Sequence, residues 1–182
     1  MKNTIAGSKR LKRTVWFYNA IPAVFWSILN LTPICIYCYS DVNRPFMYWS
    51  LGLSLLIYLL PNGFFNFIQL SRSTKPYKNI GINVIKRYAQ EGDLVNRFIK
   101  KRFPHYSVIK NGKSVKAYLS QTYHFERFHT QLLVFFFAIM VYAIVQKQYE
   151  WAFILLINNI IYNLYPNLLQ QYTRIRLSAI RR

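Results

Sequence analysis

The densest group of chemically able side chains is the run Tyr123-His124-Phe125-Glu126-Arg127-Phe128-His129. Glu126 and His129 stand three apart, so on a helix they share a face. A carboxylate beside an imidazole orients it and raises its basicity, which is what a general base for an alcohol needs. The bland alternative is an interfacial anchor in which His and Arg meet lipid headgroups. A metal held by Glu126, His129 and a distant ligand such as His105 is a lesser reading, because H-E-x-x-H and other zinc spacings are missing. No metal is expected.

Two further groups are rich in amides. Asn62, Asn66, Gln69 and Ser73 stack along one face at helical spacing. Asn159, Asn163, Asn167, Gln170 and Arg174 fall within an arc of about 80°. The spacing N-x3-N-x2-Q occurs in both, at 62–69 and at 163–170, which would suit a duplicated hairpin but is slight support for one. Unpaired amides are costly in hydrocarbon, so such stripes are either glue between helices or the lining of a site. That both lie in the same half of their segments favours a site, with Asn62, Asn66, Gln69 and Asn167 as substrate contacts. Pro61 and Pro166 predict kinks that free backbone carbonyls nearby. In the run Gly92-Asp93-Leu94-Val95-Asn96-Arg97, Asp93, Asn96 and Arg97 are candidate substrate contacts, and helix capping by Asp93 is an equally good account.

The composition says what holds these groups. The 182 residues carry 24 Lys and Arg against 5 Asp and Glu, a formal charge of +19, yet 53% are hydrophobic. A disordered basic tail is excluded, because it would lack these apolar residues. Four stretches are free of charge: Val15–Ser40, Pro45–Ser71, Thr130–Gln146 and Trp151–Thr173. Each reaches the roughly 17–25 residues that cross a bilayer core, and aromatic residues gather at their ends. The expectation is an all-α integral membrane protein with four transmembrane helices. Hairpins over 15–71 and 130–173 are flanked by basic termini, 1–14 and 174–182. Between helices 2 and 3 lies a basic cytoplasmic subdomain, 72–129, resting on the membrane.

All but two of the 24 basic residues fall on the termini and this connection. The positive-inside rule then puts both termini in the cytoplasm and the protein in the inner membrane. The same charge suits anionic phospholipid headgroups. It follows topology and shows no recognition motif, so no nucleic-acid partner is expected. The first span reads as a retained anchor rather than a cleavable signal. Cys35 and Cys38 read as ordinary small apolar residues, since no redox or zinc context surrounds them.

The carboxyl-terminal run adds a resemblance. Asn163, followed by Gln170-Gln171-Tyr172-Thr173-Arg174-Ile175-Arg176-Leu177, resembles the N-x6-Q-x-Y-N-R-x-R-L signature of the glycosyl-4,4'-diaponeurosporenoate acyltransferase family. Glu126-x-x-His129 is similar to the family's E-x-x-H, and Gly92-x-x-x-Asn96-Arg97 to its G-x-x-W-N-K. Thr173 stands where the family has Asn, and Val95 where it has Trp. The likeness runs from about residue 90 to residue 177. It implies a small membrane enzyme that esterifies the sugar hydroxyl of a glycosylated carotenoid with a fatty acyl chain. The acyl donor would be acyl-CoA or an acyl carrier thioester, with no bound cofactor, and Tyr172 and Arg176 would join the substrate contacts.

The mechanism expected is direct transfer. His129, oriented by Glu126, deprotonates the hydroxyl, and Asn163, Gln170 or Arg174 stabilises the oxyanion. No cytoplasmic Cys exists for an acyl-enzyme, and the H-x4-D pattern of glycerolipid acyltransferases is missing. The rival reading is a non-catalytic scaffold that docks partner helices through the amide stripes.

Overall fold

The computed structural model describes residues 2–108 and 112–180, and among these every regular element is helical. Helix α1 (Lys2–Ser40) runs unbroken through Pro22 and Pro33. After a short turn, Pro45 begins α2 (Arg44–Leu55), a first-turn position where its missing N–H costs nothing. The helix tightens into a 3-10 turn over Leu56–Leu59 and then stops. Leu60 is extended (φ −72°, ψ 133°), as the residue before a proline tends to be, and α3 (Asn62–Phe67) starts afresh beyond Pro61.

The expected single span over 45–71 is therefore two helices with a break, and the expected kink at Pro61 is that break. Three helical stretches are long and apolar enough to cross a membrane: Lys9–Ser40, Ser114–Val145 and Tyr149–Ala179. The protein is a membrane protein.

The connection folds into α4 (Lys75–Asn79), α5 (Ile82–Tyr88) and α6 (Asp93–Arg102). Gly92 sets the turn between the last two, because a Cβ there would meet the Lys86 carbonyl oxygen at 2.2 Å. Helix α7 (Gly112–Val145) is longer than the expected third span. Residues 112–129 thus form one continuous helix with the expected third span. Helix α8 (Tyr149–Asn159) passes through a π-helical segment, Ile160–Leu164, into α9 (Tyr165–Ile180). At Pro166 the structure differs from the expectation too: the wide π turn just before it lets the helix continue without a break.

Contacts fix the directions. The rings of Tyr37 and Trp151 lie 5.2 Å apart and Ser27 Oγ meets the Tyr162 hydroxyl at 2.7 Å, so α1 is antiparallel to α8–α9. Phe46 packs on Tyr142 at 4.9 Å, while the Tyr123 hydroxyl donates to Asn66 Oδ1 at 2.7 Å. The broken segment 46–66 thus runs the full way alongside α7, in the opposite direction. One core of Ile34, Tyr37, Cys38, Phe136, Ile139 and Leu155 lies toward the two short turns. Cys38 is simply part of it, and both cysteines are free.

A second core of Tyr77, Ile82, Leu169 and Tyr172 docks α4 and α5 against α9 at the opposite, basic end. There Tyr18 stacks on Phe98, and the Glu91 amide donates to Asn19 Oδ1 at 2.7 Å, tying the connection to α1. Trp16, Phe25, Ile28, Trp49, Leu53 and Phe153 face outward, as lipid-facing residues do.

Candidate active site

Helices α7 and α9 cross near the basic end, and the polar residues picked out by spacing meet there in two groups. The first centres on Glu126, which is completely buried. Its Oε2 receives Arg174 Nη1 at 2.5 Å and its Oε1 receives Gln171 Nε2 at 2.9 Å. Arg174 also donates to Gln69 Oε1 at 3.1 and 3.3 Å and to the Phe65 carbonyl at 3.3 Å. Its guanidinium lies 4.3 Å from the centre of the Tyr123 ring.

Gln171 Oε1 in turn accepts the Tyr77 hydroxyl at 3.0 Å and the Leu70 amide at 3.1 Å. Burial of the Tyr77 phenol raises its pKa, so the hydroxyl keeps its proton and its ability to donate. Arg127 closes the network on the other side. It donates to Asn62 Oδ1 at 2.7 Å and to the Leu60 carbonyl, at the break, at 3.1 and 3.3 Å. A buried ion pair of this kind holds only when its remaining donors and acceptors are also satisfied. Here they are.

The second group lies one turn farther along. His129 is flanked by Tyr162, with ring centres 5.8 Å apart, and faces the Asn163 side chain and the Tyr162 backbone. Pro166 has no N–H to offer the Tyr162 carbonyl four residues earlier, so that carbonyl is the one a neighbour can claim. Asn163 Nδ2 donates to Asn159 Oδ1 at 2.8 Å, and Asn159 Nδ2 to the Leu133 carbonyl at 3.1 Å. Other polar atoms of this group are another matter. His129 Nδ1, Asn163 Oδ1 and Asn167 Oδ1 are all buried without a hydrogen-bond partner. The π-helical segment holds Asn163, and such bulges are frequent at functional sites.

The two motifs therefore pair across helices: Glu126 with Arg174, and His129 with Asn163. The family model for glycosyl-4,4'-diaponeurosporenoate acyltransferase matches residues 61–182. The chain belongs to that family. The matched region opens at the Pro61 break and takes in the whole α7–α9 crossing, while α1 and α2 lie before it. Comparison with curated proteins and with solved structures finds no match.

Placing the expected residues on this acyltransferase changes several roles. The hydrogen bonds described for the Glu126 carboxylate go to α9 rather than to His129. Arg174 is likewise bound to Glu126, Gln69 and the Phe65 carbonyl. Asn62, Asn66 and Gln69 bind Arg127, Tyr123 and Arg174, which makes that stripe glue between helices. Tyr172 is a core residue beside Tyr77, and Arg176 lies over its ring at 5.7 Å. Gln170 stays on the face of Asn163 and Asn167, half-buried.

Asp93, Asn96 and Arg97 lie apart from this crossing, on α6, where Asp93 pairs with Lys86 at 2.7 Å. Asp93 is the first residue of that helix and Gly92 stands at the N-cap, so the expected cap falls on a glycine. Spacing alone missed Gln171 and Tyr77. Gln171 sits one residue off the amide stripe, and a buried tyrosine hydroxyl leaves no trace in sequence.

Proposed function

We propose that the enzyme esterifies a sugar hydroxyl of a glycosylated carotenoid at the cytoplasmic side of the membrane, with a fatty acyl thioester as donor and His129 as general base. The observation that carries this reading is the set of three buried side-chain atoms without a hydrogen-bond partner, His129 Nδ1, Asn163 Oδ1 and Asn167 Oδ1. Leaving such groups unpaired costs about 1–3 kcal/mol each. A sugar supplies what they lack, several O–H donors close together.

In the step itself the hydroxyl gives its proton to His129 as its oxygen attacks the thioester carbonyl. The new C–O bond forms, the C–S bond breaks, and the proton passes to the departing thiolate. Gln170, on the same helical face, is the amide left to stabilise the oxyanion.

The membrane geometry suits this acceptor. From Glu126 to Val145 α7 rises about 28 Å, close to the hydrocarbon thickness. The ion pair then sits at the inner boundary and His129 about 4–5 Å inside it. That is where a carotenoid glycoside places the join between polyene and sugar. With the broken segment 44–67 counted as a crossing, the chain passes four times and both termini are cytoplasmic, in keeping with the charge distribution.

The test is lipid extraction and mass spectrometry of cells carrying the native chain or His129→Ala. The variant should accumulate the unacylated glycoside while inserting in the membrane normally. Undiminished ester in that variant would refute the assignment. An unchanged lipid profile on deleting the gene would favour a scaffold instead.

A further inference from the structure

The basic residues of α6 have no role in the chemistry above, yet they line a cavity of about 710 Å³. Its walls include Asn96, Arg97, Lys100, Lys101 and Tyr106. The volume is in the range of small-molecule sites, about 300–1,000 Å³. Among the described residues the ion pairs are Lys86–Asp93 and Arg174–Glu126, so no carboxylate neutralises Arg97, Lys100 or Lys101. The one acid on this cavity wall, Asp93, is already held by Lys86 at 2.7 Å.

A further group there is incomplete. Asn96 donates Nδ2 to the Glu91 carbonyl at 2.7 Å, while its Oδ1 is buried without a partner. Lys101 lies over the Phe98 ring at 5.7 Å, and among the described residues none of the three cations has a carboxylate partner. Three such cations and an orphan acceptor in one recess call for a ligand with several phosphates and an N–H donor.

Resting on the acyl-transfer reading of the His129 group, we infer that this cavity binds the phosphorylated nucleotide of a coenzyme A thioester. Coenzyme A offers a pyrophosphate and a 3′-phosphate to the cations and an adenine amine to Asn96. Arg97 presents a planar fork of donors suited to phosphate oxygens. An acyl carrier protein would bring a single phosphate on its arm, and a phospholipid headgroup has no need of a recess.

A second cavity adjoins the first on the side of α7. It is smaller, about 290 Å³, shares Tyr106 and Val108 with the first and reaches Tyr118 and Gln121 on α7. Gln121 precedes His129 by eight residues, about 12 Å along the helix. A pantetheine arm laid along this track carries the thioester toward the base.

The experiment is equilibrium binding of coenzyme A, and of dephospho-coenzyme A, to the full chain in nanodiscs of zwitterionic lipid. Coenzyme A should bind saturably, and loss of the 3′-phosphate should weaken it about tenfold, one charge-assisted contact's worth. A combined Arg97→Gln, Lys100→Gln, Lys101→Gln variant, all at exposed positions, should weaken it about a hundredfold or more. No binding to the native chain, equal binding of the two nucleotides, or full binding to the variant would each overturn the proposal. So would a variant that loses only adhesion to anionic vesicles, or only binding of an acyl carrier protein. His129→Ala should bind coenzyme A like the native chain. If it also kept acyl transfer, the base assignment would fall while this site stood.

Discussion

Glu126 and His129 lie three residues apart on α7, yet Glu126 has a partner for both oxygens and His129 has a ring nitrogen buried with none. The contrast extends to their neighbours. Around Glu126, the side chains of Arg174, Gln171, Gln69 and Tyr77 satisfy one another and the backbone of 60–71. Around His129, two asparagine oxygens are buried without a hydrogen-bond partner. A closed network spends its polarity on holding helices together. An open one keeps its hydrogen-bonding capacity for something that arrives later. Two clusters of similar composition, one helical turn apart, are thus distinguished by satisfaction rather than by residue type.

Mutation of the closed cluster should be felt in stability and mutation of the open one in turnover. The largest effect expected is that of Arg174→Ala, which strands a buried carboxylate and should cost about 3–5 kcal/mol of stability. Thermal unfolding in detergent measures it. Replacing both partners, Glu126→Leu with Arg174→Met, should recover most of that loss, and a single variant as stable as the native chain would break the distinction. Gln171→Leu removes a donor to Glu126 and an acceptor from Tyr77 and Leu70, for a loss of about 1–3 kcal/mol in the same assay.

Asn167→Leu tests the open side. It should lower kcat/KM about tenfold, the worth of about 1.4 kcal/mol, while the melting temperature holds or rises, because an orphan acceptor has gone. A fall in stability with unchanged kinetics would move Asn167 into the closed cluster. Smallest is Tyr123→Leu, which removes the ring beneath Arg174 and should cost about 0.5–2 kcal/mol of stability with kcat unaffected.

The sequence made the helical class, the apolar runs and the residues of the site legible, because each rests on a local pattern. Charge-free runs need only a count, and Glu126-x-x-His129 needs only a helical pitch. The pairing was not legible. Helical pitch puts Glu126 beside His129, but side chains on a packed helix turn to whatever the neighbouring helix presents. Arg174, 48 residues later, outbids an imidazole for a buried carboxylate. The two prolines tell the same story. Pro61 ends its helix, and Arg127 of another helix takes up the freed Leu60 carbonyl. Pro166 does not, because the π-helical turn before it absorbs the misfit within the helix.

That freed carbonyl also bears on how the protein is made. Segment 44–67 leaves the ribosome as two short helices with an interruption that hydrocarbon penalises. The group that satisfies it, Arg127, is synthesised 67 residues after Leu60, and the Arg174 that fastens Phe65 comes 109 residues after it. The break therefore cannot be satisfied when it emerges. Its partners lie on α7 and α9, so this segment acquires its final contacts only after both of those helices have been translated.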